Sequence, residues 1–321
     1  MRILRAVSLC LVALLASAAH AQQHWPDRQI KIVVGFPPGP LDIVGRPVAQ
    51  KLQEALGQPV IFENRPGANG TIATELVMRA EPDGYTILLG TAGTHVTAVH
   101  LFKNLRYDPV KDFMPIIAAV EPATCLVVSS SLPIKSVPKL IAYAKANPGK
   151  LSYGSTGVGS VFHLLGELFN QTTGSHIVHV PYKGADGAIN DVIAGHLPLA
   201  FTAVSTAGPH IQAGTVRILA ITEPQRFSRM PDVPSITETI PAFRKPSTWM
   251  GFFAPLKTPD AVVNRLNAEI GKILNEPEMK ARMEESGYAI IGGSPQDLHN
   301  LMVDGIDRFG KIVRDAGIKP E

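Results

Sequence analysis

Cysteine is scarce in this chain of 321 residues, which contains only Cys10 and Cys125. Cys10 lies in an apolar leader that we expect to be removed, so Cys125 has no partner for an internal disulfide. The apolar run TCLVVSS around Cys125 favours a small buried side chain over a nucleophile. The sequence therefore excludes a scaffold held together by disulfides.

Aromatic side chains and charge of one sign are also in short supply. Lys and Arg number 30 against 27 Asp and Glu, which leaves a formal charge of +3, and 6% of the residues are aromatic. Neither a basic surface nor a stacking platform for nucleic acid is expected. Hydrophobic residues make up 45% of the chain, and at roughly 100–200 residues per domain its length predicts two domains.

The first 21 residues, MRILRAVSLCLVALLASAAHA, are typical of a secretory signal peptide. Arg2 and Arg5 form a positive start, an apolar stretch follows, and Ala19-His20-Ala21 is a small-x-small cleavage site. We expect cleavage after Ala21 rather than an uncleaved anchor, which lowers the formal charge from +3 to +1 because two arginines leave. No later apolar run reaches the length of about 18 residues that a membrane span needs. The mature protein is therefore expected to be soluble and, having no disulfide, periplasmic.

Short apolar runs alternate with helical patterns along most of the chain. We predict strands at residues 29–36, 59–64, 85–90, 125–130, 151–155, 177–182, 197–202, 216–222 and 250–255. Several are continuous apolar runs, which is typical of strands covered on both faces. The alternation predicts an α/β fold with a parallel sheet. Beyond these strands the pattern is mostly helical, with helix starts at Pro259, Pro277 and Pro295.

Three glycine-rich loops follow predicted strands, and each leads into a helical pattern. They are FPPGPLDIVGR after 29–36, GTAGTHVTA after 85–90 and GSTGVGSVFHLLGELF after 151–155. Such loops share one edge of a parallel sheet and offer free N–H groups at helix starts, which bind anions. Each loop alone is explained as an ordinary turn between strand and helix. Three of them on one edge favour a binding site.

Signatures of catalysis and metal binding are missing. The sequence has no G-x-S-x-G elbow, no P-loop and no G-x-G-x-x-G dinucleotide motif. His176 and His179 are three residues apart in a predicted strand, so they point to opposite faces and do not form a metal pair. His163 and Glu167 lie about one helical turn apart, where a local polar contact is expected. We predict no catalytic residue, no metal and no cofactor.

Four motifs, ENRPGANG, PDGY, YDPVKDF and HVPYKG, are highly specific when they occur together. With the sequence around them, which extends over essentially the whole mature chain, they resemble the Bug family. Members of this family are the periplasmic solute-binding proteins of tripartite tricarboxylate transporters. The resemblance implies a monomer that captures a small carboxylate or related polar metabolite and delivers it to membrane transporter subunits, without nucleic acid.

The resemblance also implies a fold of the α/β class, the two-lobed type II periplasmic binding protein or Venus flytrap, with mixed, mainly parallel sheets. Residues 22–124 and 241–321 are expected to form the first lobe and residues 125–240 the second. The ligand cleft lies between the two lobes. The chain is expected to cross between them near residues 113–124 and 240–249.

In that family the ligand lies between loops of both lobes and is held largely by backbone amides and ordered waters. The matching positions of the first lobe are Phe36, Pro38, Gly39, Pro40, Leu41, Asp42, Thr91, Ala92, Thr94 and His95. Those of the second lobe are Ser155, Thr156, Val158, Gly159, Ser160, His163, Thr202, Ala203 and Ser205. Three of the four loops are those already selected by their glycine content and position.

Two departures from the family pattern fall in these loops. The first loop reads PPGPLD, one glycine short of the common PPGGPTD, and Pro47 lies where the following helix is expected. That helix either begins later, with Pro47 near its first turn, or is kinked. The loop at 202–205 has no acidic or amide residue, which disfavours amino acids as ligands.

Two other functions compete with transport. A sensor subunit would use the same fold and ligand but present the ligand to a membrane sensor kinase. A secreted hydrolase would use Ser155 or Ser160 with His163, and the missing elbow motif argues against it.

Overall fold

The computed structural model describes residues 25–320, which form two β-sheets and ten α-helices. The predicted signal peptide and its cleavage site, at residues 1–21, lie outside the described residues. All nine predicted strands are present, with ends within two residues of the prediction. Two further strands, Phe113–Pro122 and Tyr288–Gly292, were not predicted.

The first sheet has six strands in the order β11-β4-β10-β3-β1-β2. Their bounds are β1 Ile30–Val34, β2 Val60–Asn64, β3 Thr86–Thr91, β4 Phe113–Pro122, β10 Met250–Pro255 and β11 Tyr288–Gly292. The second sheet has five strands in the order β7-β6-β8-β5-β9. Their bounds are β5 Thr124–Ser129, β6 Ser152–Ser155, β7 Val178–Pro181, β8 Leu199–Ala203 and β9 Val216–Ile221.

Helices pack against both sheets. They are α1 Pro40–Leu56, α2 Thr71–Met78, α3 Ala98–Leu101, α4 Val137–Ala146, α5 Val161–Thr173, α6 Ala185–Ala194, α7 Val204–Gln212, α8 Asp260–Asn275, α9 Pro277–Glu285 and α10 Pro295–Asp315. The last two begin with proline at the first helical position, as predicted. A missing N–H costs no intrahelical hydrogen bond there. Within residues 25–320 no helix is long and apolar enough to cross a bilayer.

Both sheets are mixed, as predicted, but they are not mainly parallel. The parallel pairs are β1 with β2 and β3 in the first sheet, and β6 with β7 and β8 in the second. The other five pairs are antiparallel. The antiparallel pairs arise because β10 runs against its neighbours β3 and β4, β11 runs against β4, and β5 runs against its neighbours β8 and β9.

Strand β4 occupies most of residues 113–124, the region near which the chain was expected to cross between lobes. It pairs with β10 on one side and β11 on the other. A proline inside a central strand is unusual because it donates no hydrogen bond, and here the register shifts between Phe252 and Phe253, beside Pro115. The crossing itself is reduced to Ala123. Its N–H donates to Gly287 O at 2.8 Å, and its carbonyl accepts from Val204 N at 2.8 Å.

Helix α1 contains Pro47 in its interior. The helix begins at Pro40, after Gly39 as the capping residue, and continues through Pro47 to Leu56. The alternative of a later start near Pro47 is therefore wrong. The Asp42 carboxylate accepts the Gly39 N–H at 3.0 Å, which stabilises the start of the helix.

One hydrophobic cluster runs through both lobes. It includes Val33 and Leu88 of the first sheet, Leu126 and Phe201 of the second, and Phe309 of the C-terminal helix α10. This helix packs on β4 and also on α5, which belongs to the second sheet's layer. The C-terminal helix therefore joins the two lobes, and the loops at their facing edges are held close together.

Candidate functional site

The loop after β1, residues 35–42, is held by a network of side-chain hydrogen bonds. Asn64 Nδ2 donates to Phe36 O at 3.0 Å and to Asp42 Oδ2 at 3.1 Å. Arg46 Nε donates to Asp42 Oδ1 at 2.7 Å. Burial alone would raise the pKa of Asp42, but the bonds from Gly39, Asn64 and Arg46 outweigh it and hold that pKa below its usual value. The carboxylate and the guanidinium are therefore engaged with each other.

The loop after β3 starts with a π-helical turn over Gly93–Thr97. The side chain and backbone of Thr91 and Thr94 bond reciprocally at its start, with N–H to Oγ1 distances of 3.1 and 3.2 Å. Gly70 brings this loop and the first one together. Its φ is +88°, and a Cβ there would lie 2.8 Å from both Phe36 Cε2 and Thr94 Cγ2. Only glycine allows this approach.

The side chain of His95, one of the predicted ligand-binding residues, lies in the aromatic core of the first lobe. It is 0% exposed, and its ring stacks on Phe253 with centroids 4.1 Å apart. Nδ1 lies 2.9 Å from Thr94 Oγ1, while Nε2 has no partner within residues 25–320. Burial lowers the pKa of His95 to about 3, so the ring is neutral. Tyr107, Phe113 and Trp249 enclose it.

The third loop, defined here as residues 155–160, precedes α5 in the second lobe. Several of its N–H groups are engaged: Gly157 donates to Ser155 Oγ, Gly159 to His163 Nδ1 and Ser160 to Gly157 O. Ser160 Oγ caps the helix by accepting the His163 N–H. The amides of Thr156, Val158, Val161 and Phe162 donate no hydrogen bond to any group of residues 25–320. They remain available at the positive end of a helix.

Two stacked imidazoles lie beneath the third loop. The rings of His163 and His179 are 3.8 Å apart between centroids and inclined by 14°. Ser155 Oγ lies 2.7 Å from His179 Nε2, and the Gly159 N–H donates to His163 Nδ1 at 2.9 Å. Burial lowers the pKa of each histidine to about 4. Both rings are therefore neutral at pH 7.

His179 was missed as a site residue because its partners are distant in sequence. The parallel register pairs it with Tyr153, so both side chains lie on the sheet face that α5 covers. The expected contact between His163 and Glu167 is loose, at 3.9 Å, because Tyr153 Oη instead donates to Glu167 Oε1 at 2.6 Å. Among residues 25–320, no three His, Cys, Asp or Glu side chains cluster as metal ligands would.

The fourth loop, residues 202–205, leads from β8 into α7. Thr202 Oγ1 is buried and has no partner in the part of the chain described. Ser205 lies close to Gly287 of the first lobe. A Cβ on Gly287 would be 3.1 Å from Ser205 N. A cavity of about 460 Å³ has Ile43 of α1 on one side and Ser205 on the other, with Arg229 also in its wall. It is shared between the lobes.

The four loops thus lie on facing edges of the two lobes. The first and second loops are in contact through Gly70, and the third touches the first lobe where Gly159 approaches Leu101. Within residues 25–320 no hydrogen bond joins the first two loops, 36–42 and 91–95, to the second-lobe positions 155–163 and 202–205. The predicted residues are gathered around one interface but are not bonded across it.

A buried ionic cluster, here called the hinge cluster, joins the connections between the lobes. It consists of Glu121 at the end of β4, Glu223 after β9 and Lys245 on the return segment. Lys245 Nζ lies 2.7 Å from Glu121 Oε1 and 3.0 Å from Glu223 Oε1. Burial opposes both charges, but the attraction raises the pKa of Lys245 and lowers that of Glu121. These three residues were not predicted as a cluster, since they are far apart along the chain.

Two α/β lobes with facing glycine-rich loops at their strand ends, joined by two closely bonded connections, define a two-lobed periplasmic binding protein. Residues 44–318 match the model of the tripartite tricarboxylate transporter family receptor. The chain therefore belongs to this receptor family, as the motifs predicted.

Named relatives agree with the assignment. BugT of Bordetella pertussis is 31% identical over 99% of this chain and 98% of its own. The solved structure of R. palustris Rpa4515 with adipate is 36% identical, covers 92% of this chain and 100% of that chain, and superposes with a TM-score of 0.83. MatC from Rhodopseudomonas palustris with bound malate is 31% identical over 90% and 100% of the two chains, with a TM-score of 0.76.

Proposed function

We propose that this protein is a periplasmic receptor that binds a small carboxylate between its lobes and delivers it to the membrane subunits of a tripartite transporter. The observation that carries the proposal is the row of unpaired amides at Thr156, Val158, Val161 and Phe162, where a helix begins. Arg46, the guanidinium nearest the first loop, is already bonded to Asp42. The relatives solved with adipate and malate are consistent with an anionic ligand.

The proposal also includes the processing of the chain, its compartment, its oligomeric state and its division into lobes. Cleavage after Ala21 releases a monomer into the periplasm, with residues 22–124 and 241–321 as the first lobe and 125–240 as the second. The membership of the two sheets supports this division, because β5 to β9 lie between residues 124 and 221. The alternative of presenting the ligand to a sensor kinase predicts the same cleft, and gene neighbourhood distinguishes the two.

A thermal-shift panel tests the ligand class. Some mono-, di- or tricarboxylate should raise the unfolding midpoint, whereas sugars and polyamines should not. A ligand at 100 times its Kd adds about 2.7 kcal/mol to the free energy of unfolding. Mass spectrometry of the natively purified protein then identifies the bound metabolite. If only sugars or cations raise the midpoint, the anion site is wrong.

The contact between Ser155 and His179 makes hydrolysis the second candidate, because a serine and a histidine at 2.7 Å resemble a nucleophile with its base. The pairing differs from the expectation of His163 as the base. Ser155 is only 1% exposed and Ser160 is used as a helix cap, so neither hydroxyl is presented to a substrate. We expect no turnover of ester substrates. Turnover abolished by Ser155→Ala would favour the hydrolase.

A further inference from the structure

The stacked histidines hold opposite ends of the third loop. His179 comes from β7 and binds the hydroxyl of Ser155, where the loop begins. His163 comes from α5 and accepts the N–H of Gly159, just before the helix cap. An apolar pair would fill the same space but would leave the Gly159 N–H without its acceptor, which is costly in a buried position.

We propose that His163 and His179 are a pair of positioning residues that fix the third loop so that its unpaired amides face the bound carboxylate. The inference rests on the proposed function. The pair acts by fixing the positions of the loop amides and does not need to touch the ligand itself. His163 belongs to α5 and His179 belongs to β7. Because the two rings stack on each other, they hold both ends of the loop as one unit.

The role requires neutral rings. His163 Nδ1 accepts the Gly159 N–H, so the ring proton is on Nε2, and a second proton would remove the acceptor. Two imidazolium ions stacked at 3.8 Å would also repel each other. The ionisable groups packed against the pair are Tyr153 of β6 and Glu167 of α5. Tyr153 Oη donates to Glu167 Oε1 at 2.6 Å and also lies 3.0 Å from His163 O.

The first experiment uses the ligand-free wild-type protein. Nitrogen NMR of the imidazole rings should show His163 as the neutral Nε2–H form from pH 7.5 down to about pH 5, and hydrogen exchange should show the Gly159 amide as protected. An Nδ1–H form of His163, or Gly159 exchanging as fast as a free loop amide, overturns the proposal. This result does not depend on knowing the ligand.

The second experiment measures binding of adipate and malate by calorimetry to His163→Gln, His179→Gln and the control His176→Gln. His176 is exposed and lies just before β7, so its substitution leaves the loop contacts intact. For whichever dicarboxylate binds the wild type, Kd should rise about tenfold or more in the first two variants and less than about twofold in the control.

The two experiments distinguish a failure of the positioning role from a failure of the proposed ligand class. A lower unfolding midpoint with unchanged Kd in both loop variants means that the histidines only stabilise the fold, and the positioning role is then wrong. If neither dicarboxylate binds the wild type, the proposed ligand class is in question. The ring forms and the Gly159 exchange rate then decide the positioning role by themselves.

Discussion

At the scale of single residues, the binding chemistry depends on which groups are already paired. Asp42 and Arg46 carry the charges beside the first loop, and they bind each other at 2.7 Å. Ser160 is used as a helix cap, and His163 accepts a loop amide. At the third loop the groups left over are backbone amides, and the affinity that they supply depends on donors that no side-chain substitution removes except proline.

Val161→Pro is the corresponding prediction. Val161 is the first residue of α5, and Ser160 before it has φ −62° and ψ 156°, a conformation that a residue preceding proline prefers. The variant should fold normally but bind the carboxylate about tenfold to a hundredfold more weakly. A lost hydrogen bond to a charged group costs roughly 1.5–3 kcal/mol. Calorimetry measures the affinity, and circular dichroism checks folding.

Arg46→Ala is the comparison for this prediction. It removes a cation near the first loop, but the guanidinium is bonded to Asp42 and Asn64, so the affinity should change by less than about threefold. If Arg46→Ala abolishes binding while Val161→Pro binds normally, an ion pair holds the ligand and the amide account fails.

At the scale of elements, the alternation of short apolar runs was enough to predict nine strands. The strand Met250–Pro255 was placed at its observed ends. The pattern failed for β4, because Pro115 and Pro122 within FMPIIAAVEP argue against a central strand. The register with β10 shifts beside Pro115, which is where a proline is tolerated. Strand β11, Tyr288–Gly292, was missed because it lies in the C-terminal region, whose pattern was interpreted as mostly helical.

The positions of the candidate loops could be predicted, because each loop directly follows a predicted strand in the sequence. The loops after β1, β3, β6 and β8 could be located from glycine content or from family motifs. The pairing of His179 with Ser155 could not, because it depends on the register of β6 with β7 and spans 24 residues. The burial of His95 could not be predicted either, since the aromatic residues around it come from positions as distant as Trp249 and Phe253.

The packing of α5 on the second sheet gives a prediction at this scale. Gly166 of α5 lies against Tyr153, and a Cβ there would be 2.1 Å from the Tyr153 ring. Gly166→Ala should therefore push the helix from the sheet and lower the free energy of unfolding by about 1–3 kcal/mol, as overpacked cores do. Urea denaturation measures the change.

Gly271→Ala in α8 is the matched control. A Cβ at that position meets only Ile117 Cδ1, at an ordinary contact distance of 3.5 Å. Alanine is a better helix former than glycine by about 1 kcal/mol, so this variant should be as stable as the wild type or more stable. Equal destabilisation by both substitutions would contradict the close approach of α5 to Tyr153.

At the scale of the whole molecule, the lobes are joined at Ala123 and by the segment that returns before β10. Two connecting segments of this kind allow the lobes to rotate as rigid bodies around a bound ligand. We expect the radius of gyration from small-angle X-ray scattering to decrease when the carboxylate saturates the protein. A radius of gyration that is the same with and without ligand would count against a hinged trap.

The hinge cluster should be the most sensitive ionic site for stability. The Lys245 side chain is 2% exposed, so Lys245→Met leaves the partly buried carboxylates of Glu121 and Glu223 without their counter-ion. Removing one partner of a buried pair costs about 3–5 kcal/mol. Lys272→Met, which breaks an ion pair of a 72% exposed lysine with Glu269, should cost less than about 1 kcal/mol.

The pH dependence of this loss follows from the pKa of Glu121. Burial alone would raise it, but the charge of Lys245 holds it below the ordinary value of 4.5. The stabilisation is therefore present above about pH 4.5 and is lost as the pH falls through the lower folded-state pKa. Urea denaturation of wild type and Lys245→Met should differ most near pH 7 and converge in acid, because protonated carboxylates need no counter-ion. A difference that stays constant from pH 7 to pH 3 would mean that Lys245 contributes packing rather than charge.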